Sequence, residues 1–319
     1  MATPKHLDPI YSDETAARAH FEALRWPNGP ECPHCGVIGN ATEMKGRTTR
    51  AGLYKCKEKP CRKPFTATMG TVYESSHIPL HAWLYATHLM TASKKGMSAA
   101  QLHRMLGFGS YKSAWFMAHR IREAMKAENM PPFGEGGGSV MADETFIGKD
   151  PDAPPSKMAI RNMNKVLTLV DQSSGRAKSF VVKENLSAET VAAILSAHVS
   201  PEAPLLTDEA HYYKGPGKAF AAHHSVNHAA GEYVSRVDPT ITTNQIEGFF
   251  GIFKRGMRGV YQHCGSHHLH RYLAEFDFRY TNRSAVGVED TERAALAVKG
   301  AFGKRLRYKK PDREQAAQA

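Results

Sequence analysis

The chain has 319 residues and 41% of them are hydrophobic, enough to bury a core, which excludes a disordered polymer. Lysine and arginine number 42 against 31 aspartate and glutamate, a formal charge of +11, and the pI is near 9.4. That excess favours a polyanionic partner, nucleic acid first, although a basic but otherwise ordinary enzyme also satisfies it.

In chain order, the first predicted helix runs from Asp13 to Arg25, with Ala17, Phe21 and Leu24 near one face, and Pro27, Asn28 and Gly29 stop it. A cysteine-bearing stretch follows, with a strand-like Leu53–Tyr54–Lys55, and Phe65–Val72 reads as extended. Helices are expected over Leu80–Met90, from a Ser98 cap to Leu106, and from a Ser110 cap over Tyr111 to about Lys126. Pro131–Ser139 (PPFGEGGGS) has the composition of a linker. Strands are predicted next at Ser139–Ile147, at Lys165–Asp171 and Ala177–Lys183 as a hairpin, at Ala203–Thr207 and at His223–Val226. An Ala-rich helix is expected from Ser187 to His198, another from Thr242 or Thr243 past Lys254, and a last one over Leu269–Tyr280. No run of about 18 apolar residues occurs and Met1–Tyr11 has no signal-peptide core, so no membrane span and a cytoplasmic location are expected.

Four of the five cysteines form two close pairs. Cys32 and Cys35 flank two residues, Cys56 and Cys61 flank four, and 20 residues separate the pairs. Two knuckles of this kind supply four thiolates in a tetrahedron, the geometry of structural zinc, and so short a segment owes much of its folding free energy to the metal. His34 is the competing ligand, but four sulfurs already fill the shell.

Asp143 and Asp208 each close an apolar, strand-like run, where an ionised acid is costly unless paired or bound to a cation. Glu247 opens a predicted helix, and Lys254, seven positions later, nearly completes two turns and shares its face. Three carboxylates and a cation so disposed suit phosphodiester chemistry, in which Mg²⁺ or Mn²⁺ serves nucleophile and leaving oxygen. Each acid has a plainer reading. Asp143 caps a turn with Glu144 as the ligand, Asp208 caps a helix before Glu209, or Glu247 is a surface acid. Glu232 and Asp238 rank lower because they read as loop residues beside Gly231 and Pro239.

The helices over 98–106 and 110–126 have helix-turn-helix proportions, and Lys112, His119, Arg120 and Arg122 are candidates to reach DNA; packing of the ribbon onto the core is the alternative. Lys254, Arg255 and Arg258 form a candidate phosphate grip. The segment Gln262–Arg271 holds His263, Cys264, His267, His268 and His270, read as a polar loop entering a helix in preference to a second metal site. His223, His224 and His228 are read as strand or DNA-contact residues.

Several stretches together resemble bacterial insertion-sequence transposases that join an N-terminal zinc ribbon to a DDE-type, ISXO-like transposase domain. They are Leu-Arg-Trp-Pro at 24–27, Cys-Pro-His-Cys-Gly at 32–36, Cys-Arg-Lys-Pro-Phe-Thr at 61–66, Met-Gly-Thr-Val at 69–72 and Ser-Lys-Lys-Gly at 93–96. Ala-Trp-Phe-Met at 114–117, Arg-Ile-Arg at 120–122, Thr-Asn-Gln-Ile-Glu-Gly at 243–248, Lys-Arg-Gly at 254–256 and His-Leu-His-Arg-Tyr-Leu at 268–273 complete the set. The resemblance implies an α/β, RNase H-like mixed-sheet core preceded by the ribbon and a helical region. It also implies metal-dependent cleavage and strand transfer of DNA at terminal inverted repeats. Asp143, Asp208 and Glu247 would bind Mg²⁺ or Mn²⁺, Lys254 would follow the third acid, and Cys32, Cys35, Cys56 and Cys61 would bind zinc. Asn244 shares the third position with Glu247, which is preferred because a carboxylate is the better metal ligand. Expected partners are double-stranded DNA, both terminal repeats and target, and further copies of the chain on that DNA. The implied layout is an N-terminal helix and ribbon over 1–75, a helical DNA-binding region over 76–130, a linker at 131–139, the catalytic domain at 140–290 and a basic tail at 291–319. A non-catalytic, domesticated DNA-binding regulator and an RNase H-like nuclease without strand transfer are the competing functions.

Overall fold

A computed structural model describes residues 8–153, 156–226, 234 and 238–307. His228, Glu232 and the end of the basic tail lie outside the described residues. The chain divides into two compact units. The first draws on the residues up to Ala92, on Ala99–Met125 and on those from Ala294 onward; the second draws on Ser93–Ser98 and Lys126–Arg293.

In the first unit, helix α1 (Glu14–Arg25) begins where the Asp13 carboxylate accepts the Ala16 amide at 2.7 Å, and it buries Ala17 and Phe21. Three short antiparallel strands follow, β1 (Ala41–Glu43), β2 (Tyr54–Cys56) and β3 (Pro64–Phe65). Their small core is aromatic: Trp26 meets Tyr54 edge-on at 5.3 Å and Phe65 at 5.8 Å. The stretch after Phe65, expected to be extended, folds into turns instead, with the Thr71 hydroxyl donating to the Thr68 carbonyl at 2.6 Å. Helices α2 (Leu80–Ala92), α3 (Ala99–Leu106) and α4 (Tyr111–Met125) complete the helical part.

Part of the expected basic tail is a helix, α8 (Asp290–Lys299). Its C-terminal end packs so closely that a Cβ on Gly300 would stand 2.3 Å from the Ala124 carbonyl oxygen. Beyond it the Lys304 ammonium donates to the Glu123 carbonyl at 3.1 Å.

The second unit is built on a five-stranded mixed sheet. Its strands are β4 (Val140–Lys149), β5 (Met163–Asp171), β6 (Ala177–Val182), β7 (Pro204–Asp208) and β8 (Ala222–Val226), in the order β6-β5-β4-β7-β8. The first three pair antiparallel, whereas β7 and β8 run parallel to β4. This is an RNase H-like mixed-sheet core. Helix α5 (Ala188–His198), capped by Ser187, covers one face through Val191 and Leu195 against Val140, Ala142, Leu167 and Leu205. Helices α6 (Asn244–Gly256) and α7 (Leu269–Thr281) cover the other through Ile246, Phe249, Phe253, Leu273 and Phe276 against Met141, Val166, Val170 and Leu206.

Within the glycine-rich 131–139 segment, Phe133 and Gly134 are buried, while 135–137 is exposed. Phe133 is buried and bridges to Val199, with backbone bonds to His198 and Ser200. Gly134, at φ +73°, would place a Cβ 2.3 Å from that of Ala203, so this position needs glycine for both conformation and space. One buried aromatic side chain outweighs the flexibility of its neighbours.

Candidate active site and metal centre

The four cysteines converge in the first unit, their sulfurs all within 4.8 Å of one another. Cys32 and Cys61 stand 3.7 Å apart, as do Cys35 and Cys56. A tetrahedron with Zn–S arms of about 2.3 Å has edges of about 3.8 Å, so the separations fit one zinc ion and are far too long for disulfides. The ribbon strands and the positive-φ turn at Gly36 hold the knuckles open for it.

The second convergence lies in the mixed sheet. Side chains alternate across β4, so Met141, Asp143 and Ile147 share the face covered by α6 and α7. Val140 and Ala142 belong to the face covered by α5. The parallel register pairs Met141 with Leu206, and both belong to the α6-side core. Two residues further along each strand stand Asp143 and Asp208. Asp208 ends β7 as expected, but Asp143 is interior to β4, because the antiparallel partner β5 continues the strand to Lys149.

One carboxylate oxygen each from Asp143, Glu144 and Asp208 lies within 4.8 Å of the others. The Asp143 carboxylate accepts the Glu144 amide at 2.7 Å, and Asp208 accepts the Ala210 amide at 3.0 Å. Burial, reinforced by the negative charges of Glu144, Asp208 and Glu247, pushes the Asp143 carboxyl up to about 8. A half-buried acid crowded by Glu144 and Asp208 is the environment a divalent cation relieves, and this oxygen-only donor set suits Mg²⁺ or Mn²⁺. Glu247, in the first turn of α6, is not in this group of converging oxygens; its charge is the smallest contribution to the rise at Asp143, and its own carboxylate accepts the Thr243 hydroxyl at 2.9 Å. Asn244 is the exposed first residue of that helix.

Comparison with known proteins gives both parts of the chain a relative. Residues 136–281 match the ISXO2-like transposase domain, and residues 12–64 match the transposase zinc-ribbon domain of the same IS1595 group. The chain belongs to this family of insertion-sequence transposases. A protein of the transposable element ISH50 from Halobacterium salinarum is 25% identical over 289 residues, covering 84% of this chain and 91% of its own. A chain of the simian T-cell lymphotropic virus intasome, solved in complex with the PP2A regulatory subunit B56 gamma, aligns at 16% identity over 55% of this chain and 67% of its own. Its TM-score is only 0.29.

On this transposase, the basic residues singled out from sequence fall in different settings. Lys254 is half-buried in the last turn of α6, on the Glu247 face, and Arg255 is exposed beside it. Arg258 follows in a π-helical turn, Met257–Tyr261, and lines a cleft with Lys149, Gln262 and His263. Lys112 is exposed at the start of α4. Arg120 and Arg122 are not surface residues: they are only 7% and 1% exposed. The Arg120 guanidinium donates to the Glu74 carbonyl at 2.6 Å and lies over the Trp83 ring at 5.4 Å. These two arginines are buried within the first unit and offer no face to DNA in this conformation.

Exposed cations are instead dense on the ribbon, among them Lys45, Arg47, Arg50, Lys57, Arg62 and Lys63. Sequence reading passed over them because the cysteines between them carried the stronger signal. Among the described residues, the ligand atoms of the 262–271 histidine segment do not converge; the segment is a turn and a short 3₁₀ helix entering α7. His223 on β8 is bonded to the Thr207 hydroxyl at 2.9 Å, beneath the edge of the site. No described helix is long and apolar enough to cross a membrane.

Proposed function

We propose that this transposase cleaves DNA strands at the terminal inverted repeats of its element and joins the freed ends to target DNA, using Asp143, Asp208 and Glu247 as cation-binding acids. The observation that carries the reading is the meeting of the Asp143, Glu144 and Asp208 carboxylates in the sheet; Glu247, in the first turn of α6 and outside that group, is assigned as the third acid. Carboxylates do not crowd at a half-buried point without a compensating charge, because their mutual repulsion and desolvation raise the free energy of the folded state. When bound, a Mg²⁺-class cation supplies Lewis-acid charge to the phosphodiester and lowers the pKa of the attacking hydroxyl.

The chain's own groups divide the remaining work. Asp143 and Asp208 fix the position of the cation from the sheet, and Glu247 closes the site from the helix. Lys254, two turns along that helix, meets a phosphate oxygen next to the reacting bond. Arg255, Arg258 and Lys112 hold the DNA backbone further out, and the +11 charge draws the duplex in. The double-stranded ends and target are brought together by more than one copy of the chain.

A cleavage and strand-transfer assay on a terminal-repeat substrate tests this reading. Asp143→Asn and Asp208→Asn should each lose at least about a thousandfold in rate, and the double variant should lose little more, because one missing ligand already dismantles the site. Glu247→Gln should join them, while Asn244→Ala should keep most activity. Full activity in both aspartate variants would overturn the mechanism; full activity in Glu247→Gln with none in Asn244→Ala would move the third position to Asn244.

A further inference from the structure

Glu144 is unexplained by the three acids proposed above, yet its carboxylate sits among them. Its two oxygens are each taken by a different tyrosine: the Tyr212 hydroxyl donates to Oε1, and the Tyr213 hydroxyl donates to Oε2 at 2.9 Å. Tyr213 is fully buried in the core beneath α5, and Tyr212 is half-buried beside it. Both belong to the 3₁₀ turn His211–Tyr213, four and five residues after Asp208. On the other side, the Glu144 amide holds the Asp143 carboxylate at 2.7 Å.

The backbone does not by itself fix how far Asp143 stands from Asp208. The β4–β7 ladder pairs Val140 with Leu205 and Met141 with Leu206 and ends there, two residues short of the acids. Beyond that point a parallel pair is free to splay, and repulsion between the carboxylates favours splaying. The Glu144–tyrosine bonds span this gap. They tie the residue after Asp143 to the turn four and five residues after Asp208.

We propose that Glu144, gripped by Tyr212 and Tyr213, is a positioning residue that sets the spacing of Asp143 and Asp208 for the divalent cation. This rests on the metal-dependent reading given above. Two donors oriented by packing fix the Glu144 carboxylate in place, and its negative charge is compensated by hydrogen bonds, leaving the cation to the neighbouring acids. Residues that orient metal ligands in this manner alter metal affinity about 10–100-fold when removed.

The test is Mn²⁺ affinity of the full-length, zinc-loaded protein without DNA, measured by calorimetry or by the paramagnetic resonance signal of free Mn²⁺. Thermal melting and zinc content report folding. Tyr212→Phe/Tyr213→Phe should bind Mn²⁺ about tenfold more weakly or worse, with strand cleavage restored as Mn²⁺ is raised. Should the buried Tyr213 substitution prevent folding, Tyr212→Phe alone should weaken binding several-fold. Glu144→Gln, able to accept from one tyrosine hydroxyl and donate to the other, should lose less than Glu144→Ala. Unchanged Mn²⁺ affinity in a folded tyrosine variant, while Asp143→Asn loses binding, would sink the clamp and leave the metal site standing. Equal losses in Glu144→Gln and Glu144→Ala would make Glu144 a direct ligand and overturn the positioning role. Unaltered binding in Asp143→Asn would instead remove the metal-dependent reading itself.

Discussion

Asp143 and Asp208 stand level on neighbouring parallel strands, two residues beyond the Met141–Leu206 pair that sets their register. Met141 and Leu206 belong to the core on the α6 side of the sheet, and the two acids converge with Glu144. The arrangement places like charges together at a cost that the fold bears before any partner binds.

That cost has a pH signature at Asp143. Its carboxyl is held up to about 8 in the folded protein, against 3.8 for an ordinary aspartate, so the folded state retains a proton that the unfolded state has lost. The stabilising contribution is full below pH 4 and is lost as pH rises through about 8. Metal-free Asp143→Asn should therefore melt above the unsubstituted protein at pH 8, by about 2–4 °C for each kcal/mol relieved, and the difference should close towards pH 4. Mg²⁺ should raise the melting temperature of the original protein and not that of the variant. Calorimetric scans across pH, with and without Mg²⁺, decide it.

The ribbon should carry about one zinc per chain, since the sulfur separations of 3.7 Å match the edge of a single tetrahedron. Cys35→Ser should lose the metal and unfold the ribbon, a loss seen by elemental analysis and by increased protease cutting near β1 and β2. Freshly reduced protein without zinc would contradict this assignment.

Arginines of α4 and lysines of the surface should separate cleanly. Arg120→Ala removes a buried bond to the Glu74 carbonyl and a guanidinium packed on Trp83, so it should cost about 1–3 kcal/mol of stability. Lys112→Ala and Lys57→Ala should leave melting unchanged but weaken duplex binding, each lowering the slope of log affinity against log salt by about one. Weaker DNA binding by Arg120→Ala at unchanged melting temperature would show that this side chain leaves its pocket to reach DNA.

Asp277 offers a second pH test remote from the proposed chemistry. It is half-buried on α7, where it accepts the Ser179 amide at 2.8 Å and the Ser179 hydroxyl at 2.7 Å, and desolvation pushes its carboxyl up to about 7. Its contribution to stability is full below pH 4 and is lost as pH rises through about 7. Asp277→Asn should flatten the decline in stability between pH 4 and 7, and an unchanged slope would place the titration elsewhere.

Much of this protein is decided by neighbours along the chain, and that part was legible in its sequence. The cysteine knuckles are short, so residue spacing alone brings each pair of sulfurs together. Helices announce themselves through caps such as Asp13 and Ser187, and the seven-residue step from Glu247 to Lys254 follows from helical pitch. Asp208 at the end of β7 could be read from an apolar run that stops. What required the tertiary structure is whatever depends on a partner distant in sequence. Asp143 became interior to its strand because β5 pairs past it. The amphipathic pattern of α4 does not say that Arg120 and Arg122 face inward, since an arginine is buried only where a remote carbonyl or ring receives it. Phe133 is buried in a glycine-rich stretch because it joins the core that holds Val191 and Leu195 of α5 and Leu205 of β7. Glu144 gained its place among the acids from two tyrosines 68 and 69 residues away, a relation that no spacing or periodicity encodes and that exists only once β4 and β7 lie side by side.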